Sequence, residues 1–372
     1  MKTVKFLLLL TPILYAAQQE IIMENTNFTL SAIPYLGKER ILYNYNRLRT
    51  NYTLKNGNWY LNFIGDIDNY LGEKYLKSNE YLMLSSLKAD IPFAIETSQD
   101  YDGGALLGRI HRFNIGYSDD KQHVVFGLQK ISMGVGRIWT PTDLFNPRDP
   151  LALEPDQIFP VYAFSYSYAL GQTTEAMGVV SQRQDKSYKY AARIKGHAGF
   201  ADAALDLFES NDAQMIGYEL EGDLSDTGIE WRSEGGYFKD KIEQKNFFEC
   251  IVGIDYGFQN GITAALEWLH TTHTYPLVAF YEISDSSLSN NRFTSSDYIG
   301  TSLDYNFNLL LEGSVSMIYN PPNHGLFAAP LLSYTIDDDT SISLGAMLYH
   351  GNEQNEFGIL DNRYYLKVKK TF

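Results

Sequence analysis

Apolar and polar residues alternate with a period of two along most of this chain, and no useful length of it carries the 3.6-residue stripe of an amphipathic helix. Trp59, Leu61, Phe63 and Ile67 alternate with Asn62, Asp66 and Asp68. Tyr162, Phe164, Tyr166, Tyr168 and Leu170 alternate with Ala163, Ser165, Ser167 and Ala169. Phe248, Cys250, Val252, Ile254, Tyr256 and Phe258 alternate with Glu249 and Asp255, and Ile262, Ala264, Leu266 and Trp268 with Thr263 and Glu267. The same rhythm runs through 113–128, 188–195, 229–237, 309–319 and 326–348. Strands predicted from it are long for a two-sheet sandwich and match a tilted membrane crossing of about 9–11 residues. Their less apolar faces mix small and charged residues, which suits a wet lumen. A sheet crosses hydrocarbon only if it closes, because every amide there must be paired.

The connections alternate in length. Residues 118–121, 171–172, 259–261 and 337–340 read as short turns, whereas 70–104, 132–159, 272–296 and 351–361 are long. Short turns on one rim and long loops on the other are a barrel's habit. Keeping that order requires a strand before residue 41, which residues 27–32 supply. The fold class expected is all-β: a transmembrane antiparallel β-barrel of about 16–18 strands, the lower count applying if the weakly patterned segment 199–222 does not contribute. Arg47 and Arg49 share parity with Ile41, Tyr43 and Tyr45, so a bulge is expected between them.

Both ends fit an exported barrel. Lys2 and Lys5, the apolar run from Phe6 to Leu14, and Ala16-Ala17 make a signal peptide cleaved before Gln18. The domain organisation is then 1–17 signal and 18–372 a single barrel. At the other end Tyr364, Leu366, Val368 and Phe372 share one strand face, interrupted by Lys370. An apolar face ending in a terminal Phe resembles the closing strand of Gram-negative outer-membrane β-barrels of the porin type. That resemblance implies that these four residues seal the barrel and are read by the assembly machinery. It also implies a place in outer-membrane lipid, passive diffusion of small hydrophilic solutes, and a possible homo-oligomer.

Composition agrees. The chain holds 28 Tyr, 21 Phe and 4 Trp, 14% of its residues, enough for two aromatic girdles. Its formal charge of −15, falling to −17 when Lys2 and Lys5 leave, argues against nucleic acid as a partner. Cys250 is the only cysteine, so no internal disulfide forms. There is no nucleophile elbow, zincin motif or phosphate loop. On a regular strand His270 and His273 face opposite ways, so with Glu267 they make a poor metal set. No cofactor and no metal are implied, and the chain is not expected to be an enzyme.

Candidate functional residues lie on the lumen faces and in one loop. Arg112, Lys189, Arg193, Lys195, Arg363, Lys367 and Lys369 form a basic wall; Glu230, Glu234, Glu249, Asp255, Glu267, Asp304 and Glu312 form an acidic one. Opposed walls set a transverse field that orients dipolar solutes and tunes ion selectivity; the other reading is that these charges simply keep the lumen wet and paired. The loop 132–159 is rich in Pro and Asx and reads as ordered. With Trp139 and Asn146-Pro147 it resembles porin loops that fold into the lumen, which implies a constriction with Arg137, Asp143, Arg148 and Asp149 at the eyelet; the other reading is an outward cap whose charged pairs are structural. Gly134 and Gly136 carry no recognisable motif. Two other readings stand beside the channel: a plugged barrel serving as receptor, adhesin or assembly component, and a barrel hydrolase.

Overall fold

A computed structural model describes residues 17–155, 157–278, 286–288 and 291–372. The expected signal peptide, apart from Ala17, lies outside the described residues. The strands are β1 (Gln18–Ala32), β2 (Ile41–Asn56), β3 (Trp59–Leu71), β4 (Glu96–Tyr101), β5 (Gly104–Ser118) and β6 (Gln122–Gln129). They continue with β7 (Val161–Ala169), β8 (Glu175–Gln182), β9 (Tyr188–His197), β10 (Asp202–Glu209), β11 (Ala213–Asp223), β12 (Ile229–Asp240) and β13 (Lys245–Gly257). The last are β14 (Ile262–Thr271), β15 (Asp297–Asn306), β16 (Leu311–Asn320), β17 (Gly325–Asp337), β18 (Thr340–His350) and β19 (Arg363–Thr371).

All belong to one antiparallel sheet. β3 pairs directly with β5 along its whole length. β4 occupies the other edge of β5 at residues 104–109, and β6 takes the rest of that edge. The wall therefore has 18 strands, the 19 of the sheet less β4, and β1 pairs with β19 to close it. At the seam Phe372 N–H donates to Met23 O at 2.8 Å, and Met23 N–H donates back at 3.3 Å. Closure leaves no free edge, which is the condition for a sheet in hydrocarbon.

The outward face is apolar: Leu205, Leu207, Ile216, Val252, Ile254, Leu266 and Leu344 are all exposed. Exposed Trp59, Phe258 and Tyr305 mark the short-turn rim, and Tyr188, Tyr237 and Trp268 the long-loop rim, as two girdles. Tyr364, Leu366 and Phe372 join the outward face. Lys370, the misfit on it, lies at the rim with its Nζ 5.7 Å from the Phe372 ring centre. A long stem lets such a charge reach water from an apolar face.

The segment 199–222 supplies two regular strands, β10 and β11, in unbroken register. The first strand begins at Gln18, well ahead of the expected 27–32. No bulge separates Tyr45 from Arg47, since β2 pairs with β1 and β3 without a register shift. Ile41, Tyr43 and Arg47 are buried on the inner face, whereas Leu42 between them is exposed. The reason is an inserted cover. After β3 the chain turns inward through helices α1 (Glu73–Leu76) and α2 (Asn79–Ser86), the second capped by Ser78, whose Oγ accepts from Tyr81 N–H. Tyr75 of α1 stacks on Tyr43 with ring centres 3.7 Å apart, while Tyr70 of the neighbouring strand β3 stacks on Tyr45 at 4.8 Å. A lumen face can be aromatic where a loop keeps water from it. The irregularity nearest to Arg47 and Arg49 lies instead in β5, where Ile64 faces Arg112 but Gly65 faces Ile110, leaving His111 as the extra residue.

Candidate functional site

Between β6 and β7 the chain runs inward and crosses the lumen. Its turns are fixed by two side chains. Asn146 Oδ1 accepts from Ile131 N–H at 2.7 Å, and its Nδ2 donates to Phe159 O at 2.5 Å, tying the loop's two ends together. Asp143 accepts from the N–H groups of Asn146, Phe145 and Met133 at 2.8, 3.2 and 3.4 Å. Burial pushes the Asp143 carboxyl up to about 6, against the pull of those N–H groups. The folded loop therefore holds this proton more tightly than the unfolded chain. Its contribution to stability is full below about 3.8 and is lost as pH rises through about 6. Asp143→Asn is expected to flatten the pH dependence of amide exchange in residues 131–146 across that window. Exchange that stays as pH-dependent as in the parent would show that another group titrates there.

The near part of the loop lies on the wall of β11, β12 and β14. Gly134 N–H donates to Glu219 at 2.7 Å; Val135 and Gly136 N–H donate to Glu234 at 2.7 and 2.9 Å; Ile138 and Trp139 N–H donate to Glu267 at 2.9 and 3.2 Å. The far part reaches the wall of β2 and β19. Arg47 holds Glu154 with two bonds of 2.6 and 2.9 Å, Arg49 reaches Gln157 at 2.6 Å, and Lys367 lies 3.8 Å from Glu154. In a ring of 18, β2 and β12 stand nine strands apart, so the loop is fixed to opposite walls.

On the long-loop side the crossing leaves a cavity of about 1070 Å³, lined by Arg47, Asp66, Asp68, Arg109 and His111 of the wall and by Phe145, Arg148, Asp149 and Phe159 of the loop. A second space, about 470 Å³, opens against β2, β3, β5 and β6 and is lined by Asn62, Arg112, Asn114, His123 and Lys130.

The four loop residues separate. Arg148 and Asp149 face the larger cavity, with Arg148 Nη1 donating to Arg137 O. Asp143 faces the interior of the loop. Arg137 points to the short-turn side, half-exposed, 3.2 Å from Asp255, 3.5 Å from Glu230 and 3.7 Å from Glu221.

Of the basic wall, Arg363 is bound by Glu80 of α2 through two bonds of 2.9 Å, and Lys369 by Glu24 at 2.7 Å. Lys189 is buried 3.4 Å from Asp90. Arg193 bonds Glu219, and Lys195 stands opposite Glu175 on β8. Arg112 lines the smaller space.

Of the acidic wall, Glu234 and Glu267 lie under the loop, and Glu249 accepts from Asn291 at 2.8 Å. Asp255 is shared by Arg137 and Arg232. Asp304 is half-buried on β15, and Glu312 is exposed on β16. The strands carrying the basic candidates, β19 through β9, and those carrying the acidic ones, β12 to β16, occupy different arcs of the ring.

No protein-family profile matches the sequence, and no curated protein does. Solved structures do match over nearly the full length. OccAB4 of Acinetobacter baumannii superposes with a TM-score of 0.62 at 11% identity, covering 95% of this chain and 98% of that one. OpdK of Pseudomonas aeruginosa, in a structure with vanillate, gives 0.61 at 13% identity over 96% and 99%. OccAB1 of Acinetobacter baumannii gives 0.60 at 10% over 96% of each chain. OpdK is an outer membrane protein. This chain has the fold of an outer-membrane porin-like barrel. The likeness extends to the strand wall as a whole, while at such identities the loop and lumen residues have to be read from this chain alone.

Sequence reasoning passes over several residues of this barrel's lumen. Arg49 binds Asp66 through bonds of 2.7 and 2.5 Å, and His111 Nε2 lies 2.9 Å from the same carboxylate. The signal for the first pair is present in the sequence. A two-residue turn at Gly57-Asn58 sets Arg49 directly opposite Asp66 and Arg47 opposite Asp68. Glu219 escapes because Gly134 N–H reaches it from 85 residues away. Arg232, fully buried, bonds Asp255 on the neighbouring strand β13 but stands opposite Gly253 there, so direct cross-strand pairing does not announce it.

Proposed function

We propose that this protein is an outer-membrane channel through which small hydrophilic solutes or ions diffuse passively, with the loop after β6 setting the bore. The observation that carries this reading is the loop's path: it is fixed to opposite walls at mid-lumen, with charge-lined space on both sides of it. Steric selection follows from the bore. Electrostatic selection follows from guanidinium groups on β2 and β5 facing the partly exposed carboxylates of Glu230 on β12 and Asp255 on β13. OpdK's structure holds vanillate, a planar carboxylate. Arg109 set 4.6 Å from the Phe159 ring, beside the larger cavity, offers surfaces that suit a solute of that shape.

Residues 18–372 act as a single barrel domain, released by cleavage after Ala17. The face of Tyr364, Leu366, Val368 and Phe372 serves the barrel-assembly machinery. A hydrolytic role has less support. Among the described residues, the hydrogen-bonded histidine side chains meet carboxylates or tyrosines, with no serine hydroxyl among those partners.

Planar-bilayer recording of the purified, refolded protein tests the channel directly. Discrete ohmic steps are expected. Silence at every protein loading would overturn the channel and favour the plugged barrel.

A further inference from the structure

The acidic wall behind the loop has a composition that pore lining does not explain. Glu219 and Glu234 are direct cross-strand partners on β11 and β12, a like-charge pairing that destabilises a sheet when nothing intervenes. Glu219, Glu234 and Glu267 are each at most 1% exposed, so water does not solvate them. What solvates them is the loop. The main-chain N–H groups of six consecutive residues, Gly134 to Trp139, all donate to these three carboxylates. Thr142 adds its N–H and its hydroxyl to Glu234 at 2.8 and 2.7 Å. Successive N–H groups curled round an anion form a nest, and a buried carboxylate without such donors would be strongly disfavoured.

The two glycines make the nest possible. Gly134 has φ +89, and a Cβ there would sit 2.6 Å from the Glu234 oxygens. A Cβ on Gly136 would lie 1.7 Å from Trp139 O. On the wall side, Arg193 bonds Glu219 and Arg232 lies 3.6 Å from Glu267. Loop and wall are thus each incomplete alone.

We propose that Glu219, Glu234 and Glu267 are positioning residues that hold the constriction loop and so fix the bore, and that they are not selectivity charges. Deepening the channel reading and resting on it for the bore, the proposal assigns selection to the groups the loop leaves facing water, such as Arg137 and Arg148. It makes the constriction a rigid element. A gate would need the loop to leave, exposing three unsolvated carboxylates and six amides together.

The test combines hydrogen exchange by mass spectrometry with single-channel recording on Glu234→Gln/Glu267→Gln and, separately, on Gly136→Ala, which leaves the wall intact. Heat-modifiable migration on gels checks that each variant is a folded barrel. In the parent, amides 134–142 are expected to exchange slowly. In both variants they should exchange at least about tenfold faster, since losing one hydrogen bond to a charged group corresponds to one or two decades in an opening equilibrium. Conductance should rise and flicker, with little change in reversal potential. Fast exchange in the parent, or unchanged protection in folded variants, would overturn the anchor. A shifted reversal potential with protection intact would overturn it too, by making these carboxylates pore charges. Lost protection with unaltered conductance would overturn their control of the bore. Silence of the parent in bilayers would sink the channel reading, and exchange would still decide the anchor.

Discussion

Arg232→Met is expected to destabilise the barrel by about 3–5 kcal/mol, the range for breaking a buried ion pair by removing one partner. The Arg232 side chain is 0% exposed. Its Nη1 donates to Asp255 Oδ1 at 2.9 Å, its Nη2 donates to Asp255 Oδ2, and Nη1 also lies 3.6 Å from Glu267. Methionine fills much of the same space and supplies no charge. Asp255 would retain Arg137 alone, already shared with Glu221 and Glu230. Urea unfolding of the refolded barrel measures the loss, read from the midpoint at constant slope. The double variant Arg232→Met/Asp255→Leu should recover much of it, because removing both charges leaves less to solvate. A single-variant loss under about 1 kcal/mol would mean that water takes the guanidinium's place.

Val252→Arg is expected to cost about 2–4 kcal/mol, the depth-dependent penalty for a cation at the midplane of a lipid-facing strand. Val252 sits at the middle of β13, 47% exposed, on the same face as Ile254. On a water-facing sheet the same change would be nearly neutral. The control is Ser314→Arg on the inward face of β16, where a wet lumen should hold the change within about 0.5 kcal/mol. Equal effects at the two sites would place the outward belt outside hydrocarbon. Together the Ser314 and Val252 changes test the two solvents of the barrel, its wet lumen and its apolar surroundings.

Much of the wall is legible without coordinates because strand geometry is local. Side chains alternate at every residue of a strand, so one parity written as Phe248, Val252 and Ile254 and the other as Glu249 and Asp255 fixes which face meets lipid. Turn chemistry then fixes register, as Gly57-Asn58 does for Arg49 and Asp66. The difficulty at Arg47 shows where locality ends. Tyr43 and Tyr45 look lipid-facing by composition, yet they share the inner face, where Tyr75 of the α1–α2 insert, folded back from thirty or so residues on, covers Tyr43 and Tyr70 of β3 covers Tyr45.

The site divides along the same line. The sequence by itself determined an alternating, aromatic-rich, closed antiparallel wall with one ordered Pro-rich loop and charges on its inner parity, because period, turn type and composition act over a few residues. It had no means to determine that Glu219, Glu234 and Glu267 belong to the loop rather than to the pore. Each carboxylate looks like any other inward acid in its own strand. Its partners are backbone N–H groups 85 to 130 residues away, which no side-chain pattern announces. Only the tertiary structure brings Gly134 to Trp139 against those strands, because buried charges and unpaired amides from distant parts of the chain can be solvated only by one another.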